Sequence, residues 1–200
     1  MALPKDPRQK MINIMYLVLT AMLALNVSAE ILNAFNIVNT SIETSNGAIT
    51  EKNDIVYTQF QKSMESDPGK AGPMKAKAKK LSQEMYVYID TLKAIITRES
   101  GGLDEHGDMK GKSDLDAPTR VMENRKQGPE LEKRLKELRE KLLSYFDPKE
   151  RAAKEGSFPL KIVVGERKGH ALKNKTWTSY HFEMVPSIAA ITLLSKFQND

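Results

Sequence analysis

The sequence predicts a mainly α-helical protein: a single N-terminal transmembrane helix, then a helical bundle with one small extended or β-like segment near residues 160–182. Three observations predict it. Residues 11–29 (MINIMYLVLTAMLALNVSA) contain no Asp, Glu, Lys or Arg, and a helix of that length covers roughly 28 Å, close to the hydrocarbon thickness of a bilayer. Beyond that run, apolar residues recur with alternating four- and three-residue spacing, the 3.5-residue repeat of packed helices. Only near 160–182 does this period give way to β-branched and aromatic residues, which favour a pleated surface.

The elements follow in order. Asp6-Pro7 makes a helix start, with Asp6 as cap and Pro7 at the first helical position. Lys5, Arg8 and Lys10 precede the uncharged run and Glu30 is the first charge after it, so the basic end is expected in the cytoplasm. A cleavable signal peptide competes, with Val27-Ser28-Ala29 as its cleavage site. The apolar pattern, however, continues through Ile31, Phe35, Val38, Ile42, Ser45 and Ile49, which favours an anchor running on into an amphipathic stem. Asn46-Gly47 is expected to bend or interrupt that stem. A further face at Ile55, Val56, Gln59, Phe60 and Met64 ends at Asp67-Pro68-Gly69, and the clearest helix follows on Met74, Ala78, Leu81, Met85, Tyr88, Leu92 and Ile95. Residues 99–117 (ESGGLDEHGDMKGKSDLDA) read as a mobile loop. Pro118 opens a short helical turn; Gly128-Pro129 opens a helix on Leu131, Leu135, Leu138 and Leu142, stopped by Asp147-Pro148. Residues 160–164 and 176–182 form either a hairpin or an extended strap, and a last helix runs from Ser187 to Gln198. That helix has no Gly or Pro terminator, so the chain is expected to continue beyond Asp200.

Composition narrows the function. The net charge of +5 divides into +2 from the first ten residues and +3 from the rest. The one basic concentration, Lys75, Lys77, Lys79 and Lys80, has no interleaved aromatics to stack on bases, so nucleic acid is not an expected partner. Without cysteine there is no disulfide, thiolate nucleophile or thiolate metal site. Asp104, Asp108, Asp114 and Asp116 lack the D-x-D-x-D-G spacing of a calcium loop, and His106, His170 and His181 lack metal-ligand spacing. No phosphate-cradling glycine pattern and no G-x-S-x-G is present. No enzyme, metal or cofactor is expected.

The polar residues of the uncharged run are more informative. Asn13, Tyr16 and Thr20 fall at i, i+3 and i+7 on one stripe, extended by Ala24 and Val27 and flanked by the small residues Ala21 and Ser28. Such a stripe favours contact with another membrane helix over lipid. The alternative is that Asn and Thr bond their own backbone.

These segments carry a resemblance. Residues 7–13 (PRQKMIN), 15–19 (MYLVL) and 24–35 (ALNVSAEILNAF) strongly resemble the N-terminus of the GldM/PorM family, inner-membrane proteins of gliding motility and the type 9 secretion system. Residues 182–186 (FEMVP) and 194–200 (LSKFQND) resemble the close of that family's first periplasmic domain. The resemblance implies a homodimer whose membrane helices lie inside a ring of GldL. Proton flow through that complex drives movement, which the periplasmic part carries towards the outer membrane. Further C-terminal domains, expected after residue 200, would meet the periplasmic and outer-membrane secretion components. Arg8 corresponds to a basic residue that pairs with a buried glutamate of the ring, and Tyr16 to a membrane tyrosine. The expected division is a cytoplasmic tail at 1–10, a transmembrane helix at 11–30 and a periplasmic helical bundle at 31–200. Two rivals come from other classes. A membrane-anchored sensory or binding domain would need a cytoplasmic signalling module, for which ten residues leave no room. A secreted domain would begin at Glu30.

Overall fold

A computed structural model describes residues 7–66, 71–160, 162 and 176–200, with the side chains of residues 23–28, 60–61, 63–66 and 71–75 left out. Helix α1 (Pro7–Ser66) is unbroken over 60 residues, about 90 Å at 1.5 Å per residue. Pro7 takes the first described helical position; Asp6, the expected cap, lies outside the described residues. The expected interruption at Asn46-Gly47 does not occur. Gly47 is exposed with open space where a Cβ would stand, and Asn46 is held against another helix. That packing outweighs the roughly 1 kcal/mol a glycine costs in a helix interior.

Residues 11–29 form the N-terminal third of α1. Among the described residues no helix is long and apolar enough to cross a membrane. Asn13, Tyr16 and Thr20 dilute the apolar run, and the side chains of residues 23–28 are among those left out.

Helix α2 (Ala71–Glu99) returns antiparallel to α1: Lys79 meets Asp54 at 3.8 Å, and Lys93 meets Glu43 at 3.2 Å. It ends before Gly101 and Gly102, whose φ of 102° and 77° turn the chain where a side chain would be strained. The expected mobile loop is instead tied down. Leu103 and Met109 form an antiparallel bridge, and Asp104 Oδ1 accepts from the backbone N–H of His106 and Asp108 at 2.9 and 2.8 Å. Asp and Asn pin turns in this way.

Helix α3 (Asp116–Thr119) runs directly into a π-helical turn, Arg120–Asn124, and α4 (Gln127–Leu143) follows. The expected leucine face of α4 is in place: Leu131, Leu135 and Leu138 are buried and Leu142 is packed against the core. A short α5 (Pro148–Lys154) starts at the proline expected to end α4.

The extended segment expected near 160–182 is corrected. Among the described residues there is no named strand, and the aromatic run is helix α6 (Trp177–Phe182). Thr176 caps it, its hydroxyl accepting from Ser179 N at 3.1 Å, which compensates the weak helix propensity of Thr-Trp-Thr-Ser-Tyr. Trp177, Thr178 and Phe182 are buried, and α6 packs on α4 and the π-helical turn, so tertiary burial overrides local preference. Residues 163–175, with Gly165, Gly169 and His170, lie outside the described residues.

Helix α7 (Ser187–Asn199) is the centre of the molecule. It packs on α1, α2 and α3, and Ile188, Ala190, Ile191, Leu194 and Phe197 are buried. Most of its faces being covered explains why it carries no acidic or basic residue before Lys196. Ile89, Leu92 and Ile96 of α2 and Trp177 and Phe182 of α6 complete the core.

Candidate functional site

The residues singled out by sequence all stand exposed on α1 ahead of the packed domain. Asn13, Tyr16 and Thr20 lie within about 60° of one another around the helix, at 100° per residue. Arg8 is about 140° away from Asn13, off that stripe. Tyr16 is 62% exposed. The Thr20 hydroxyl donates back to the carbonyls of Tyr16 and Leu17 at 2.9 and 3.0 Å. Its polar capacity is thus met within the helix, leaving its methyl, the Asn13 amide and the Tyr16 ring for a neighbour.

The same line continues up the helix. Eighteen residues make about five turns, so Ile31 stands directly above Asn13, and Val38 and Val56 above Thr20. Ile31, Val38 and Val56 are 51, 47 and 42% exposed. Exposed side chains therefore recur on this line between Asn13 and Val56, about 65 Å at the helical rise, with Ser45 between Val38 and Val56 bonded to α7.

This corrects the stem. Of the expected face, Phe35, Ile42 and Ile49 are partly buried, but Ile31, Val38 and Ser45 are exposed. The buried positions beside them are Asn39 and Asn46, at 8 and 5% exposure. They meet α7 in a hydrogen-bonded seam. Ser195 Oγ donates to Asn39 Oδ1 at 3.1 Å, and Asn46 Nδ2 donates to the Ser195 carbonyl at 3.0 Å. Asn199 Nδ2 donates to Asn46 Oδ1 at 2.8 Å and to Ser45 Oγ at 3.2 Å. Thr192 Oγ1 reaches the Phe35 carbonyl at 3.5 Å. Partner numbers rise together, so α7 runs parallel to α1 in one defined register; buried amides specify register because a slipped pairing leaves them unsatisfied.

Charges close the open side of the seam. Asn39 Nδ2 donates to Glu43 Oε1 at 3.1 Å, Lys93 Nζ donates to the same oxygen at 3.2 Å, and Gln198 Nε2 donates to Asp90 Oδ1 at 2.7 Å. Burial, then Asp90 and Glu43, raise the pKa of the nearby Tyr86 phenol, which keeps it neutral.

Sequence reading missed this seam. Its available signal was the seven-residue spacing of Asn39 and Asn46, matched by Thr192, Ser195 and Asn199 at three and four. Asn46→Ala is expected to cost roughly 1–3 kcal/mol, because it removes the buried hydrogen bond to the Ser195 carbonyl and one acceptor of the half-buried Asn199 amide. Thermal unfolding of the detergent-solubilised chain measures it; an unchanged melting temperature would show that the seam is open in solution.

Among the described residues no group of His, Cys, Asp and Glu is placed to hold a metal ion. The groove between α2 and α4, about 230 Å³, has Leu81, Met85 and Leu138 in its walls and charged residues along its rim. The arrangement is a long presenting helix fixed to a compact domain.

The GldM N-terminal domain family matches residues 30–200. The chain belongs to that family. Family membership carries involvement in gliding motility and type 9 secretion, with GldL as the family's companion and the inner membrane as its place. The match covers the stem above Glu30, the α1–α7 seam and the core, and leaves the uncharged segment outside it. No curated protein matches the chain.

Proposed function

We propose that this member of the GldM family is a non-enzymatic moving part of a proton-motive-force-driven motor, which powers gliding and type 9 secretion together with GldL. In this reading residues 11–29 cross the inner membrane, residues 1–10 are cytoplasmic and the helical domain is periplasmic. Two copies stand side by side inside a GldL ring. Arg8 is the energy-coupling cation, and Asn13, Tyr16 and Thr20 face neighbouring helices. The continuity of α1 carries the reading. One helix holds both the uncharged segment and the α7 seam, so displacement at the membrane end is transmitted to the domain without a hinge. The exposed Ile31, Val38 and Val56 on one line of it supply a face for the second copy.

Single cysteines test both parts, since the chain has none of its own. Ala2→Cys and Ser113→Cys are expected to label from opposite sides of the membrane; labelling of both from the periplasm would overturn the span. In membranes, Val38→Cys should form a disulfide-linked dimer and Ile37→Cys should not. Ile37 is as exposed, at 58%, but lies about 100° away around the helix. Equal cross-linking at both would remove the second copy from this line.

A further inference from the structure

The end of the domain nearest the uncharged segment is built from the loop at 101–116 and the turn at 183–186, and its height along α1 is fixed by hydrogen bonds. Thr192 stands opposite Phe35. Helix α7 runs parallel to α1, so Ser187, five residues earlier, lies about 7.5 Å lower, level with Glu30. The Ser187 N–H and Oγ donate to the Asp114 carbonyl at 2.9 and 3.0 Å, and Ile188 N donates to the Lys112 carbonyl at 3.2 Å. The loop is thereby clamped at the level of the first charge after the uncharged run.

Three large apolar side chains stand open on these two segments: Leu103 at 54%, Leu115 at 37% and Met184 at 59% exposure. Met184 and Leu115 are drawn to one corner by Thr119, whose Oγ1 accepts from Met184 N at 3.0 Å and donates to the Leu115 carbonyl at 3.1 Å. Met184 keeps this place with φ at 53°, a left-handed conformation uncommon for a side-chain-bearing residue. Leu103 heads the bridged turn with Met109. Ordinary loop tips are polar; a clamped loop that offers Leu, Leu and Met is placed to enter something apolar.

We propose that this end face rests on the outer headgroup layer of the membrane that α1 crosses, with Leu103, Leu115 and Met184 dipping to the acyl boundary. The inference rests on the spanning reading above and concerns the chain outside the ring, where lipid and not GldL lies beside α1. Height selects the occupant: a face level with Glu30 stands where the hydrocarbon ends and the headgroups, several ångströms deep on each side, begin. Charge selects the lipid. Residues 103–116 hold five carboxylates against two lysines, so the face suits zwitterionic headgroups and is repelled by anionic ones. The contact would set the tilt of the domain on its helix.

The chain of residues 1–200 in nanodiscs of phosphatidylethanolamine and phosphatidylcholine with brominated acyl chains provides the test. An environment-sensitive fluorophore is placed singly at Leu103→Cys, Leu115→Cys and Met184→Cys, with Met22→Cys, on the opposite side of α1 from the Asn13–Thr20 stripe, and Gln83→Cys as references. Strong quenching is expected at position 22, intermediate quenching at 103, 115 and 184, and none at 83. Quenching at 22 with 103, 115 and 184 as dark to lipid as 83 would overturn the lipid contact and leave the span standing. Absence of quenching at 22 would overturn the span itself and this contact with it. Replacing a third of the lipid by phosphatidylglycerol should weaken the signal at 103; a stronger signal would overturn the assignment to zwitterionic headgroups. Disulfide-linked dimers through position 103 would give the face to a second copy instead of lipid.

Discussion

Gly128→Ala is expected to destabilise the domain by about 3 kcal/mol, the upper end of ordinary overpacking. Gly128 is buried in the first turn of α4. A Cβ built there would lie 2.0 Å from Thr178 Cγ2, 2.7 Å from its Oγ1 and 2.9 Å from its Cβ. Thr178 is 1% exposed on α6 and, being short and β-branched, cannot swing aside. Helices α4 and α6 must therefore separate, and with them the packing of Trp177 and Phe182 against the leucine face. The partner variant makes the cause specific. Thr178→Ala removes the two nearest of these three atoms and leaves Cβ at 2.9 Å, and Thr178 Oγ1 is buried without a hydrogen-bond partner among the described residues, so its loss alone should be mild. Gly128→Ala with Thr178→Ala should recover part of the stability, a coupling read directly from melting temperatures in a double-mutant cycle. A double variant no more stable than Gly128→Ala would mean that the glycine serves the backbone and not this contact.

The second large effect is functional. Arg8→Ala is expected to abolish gliding and type 9 secretion in cells while leaving membrane insertion and dimer cross-linking at Val38→Cys intact. Arg8 is exposed in the first turn of α1, three residues before the uncharged run. A guanidinium there can snorkel to headgroups, and Lys5 and Lys10 supply enough positive charge to set orientation without it. The proposed coupling asks more of Arg8: a partner carboxylate inside the bilayer, held while ionised and released on protonation. Lys10→Ala is the control. Cells that still glide with Arg8→Ala, or that fail equally with Lys10→Ala, would reduce Arg8 to a flanking charge.

The sequence by itself determined the helical class, the leucine face of α4 and the span of α7 to within a residue. These elements have apolar spacing, proline and glycine signals that agree with one another, and local agreement is what a sequence can display. The family was legible for the same reason: its N-terminal segments are contiguous residues. Tertiary structure decided the rest. The run from Trp177 to Phe182 has strand-like composition and is a helix, because Thr176 caps it and α4 buries its aromatic residues. The loop after α2 reads as mobile and is clamped, because its carbonyls at Lys112 and Asp114 receive the first amides of α7. On α1 the heptad pattern admitted two neighbouring stripes. The apolar one, Ile31 and Val38, stays open, while the polar one, Asn39 and Asn46, is buried. Hydrophobicity ranks the two in the opposite order. Only the hydroxyl and amide groups of Ser195 and Asn199, some 150 residues away, make burial of an asparagine affordable, and a partner that distant leaves no mark on the spacing of α1 itself.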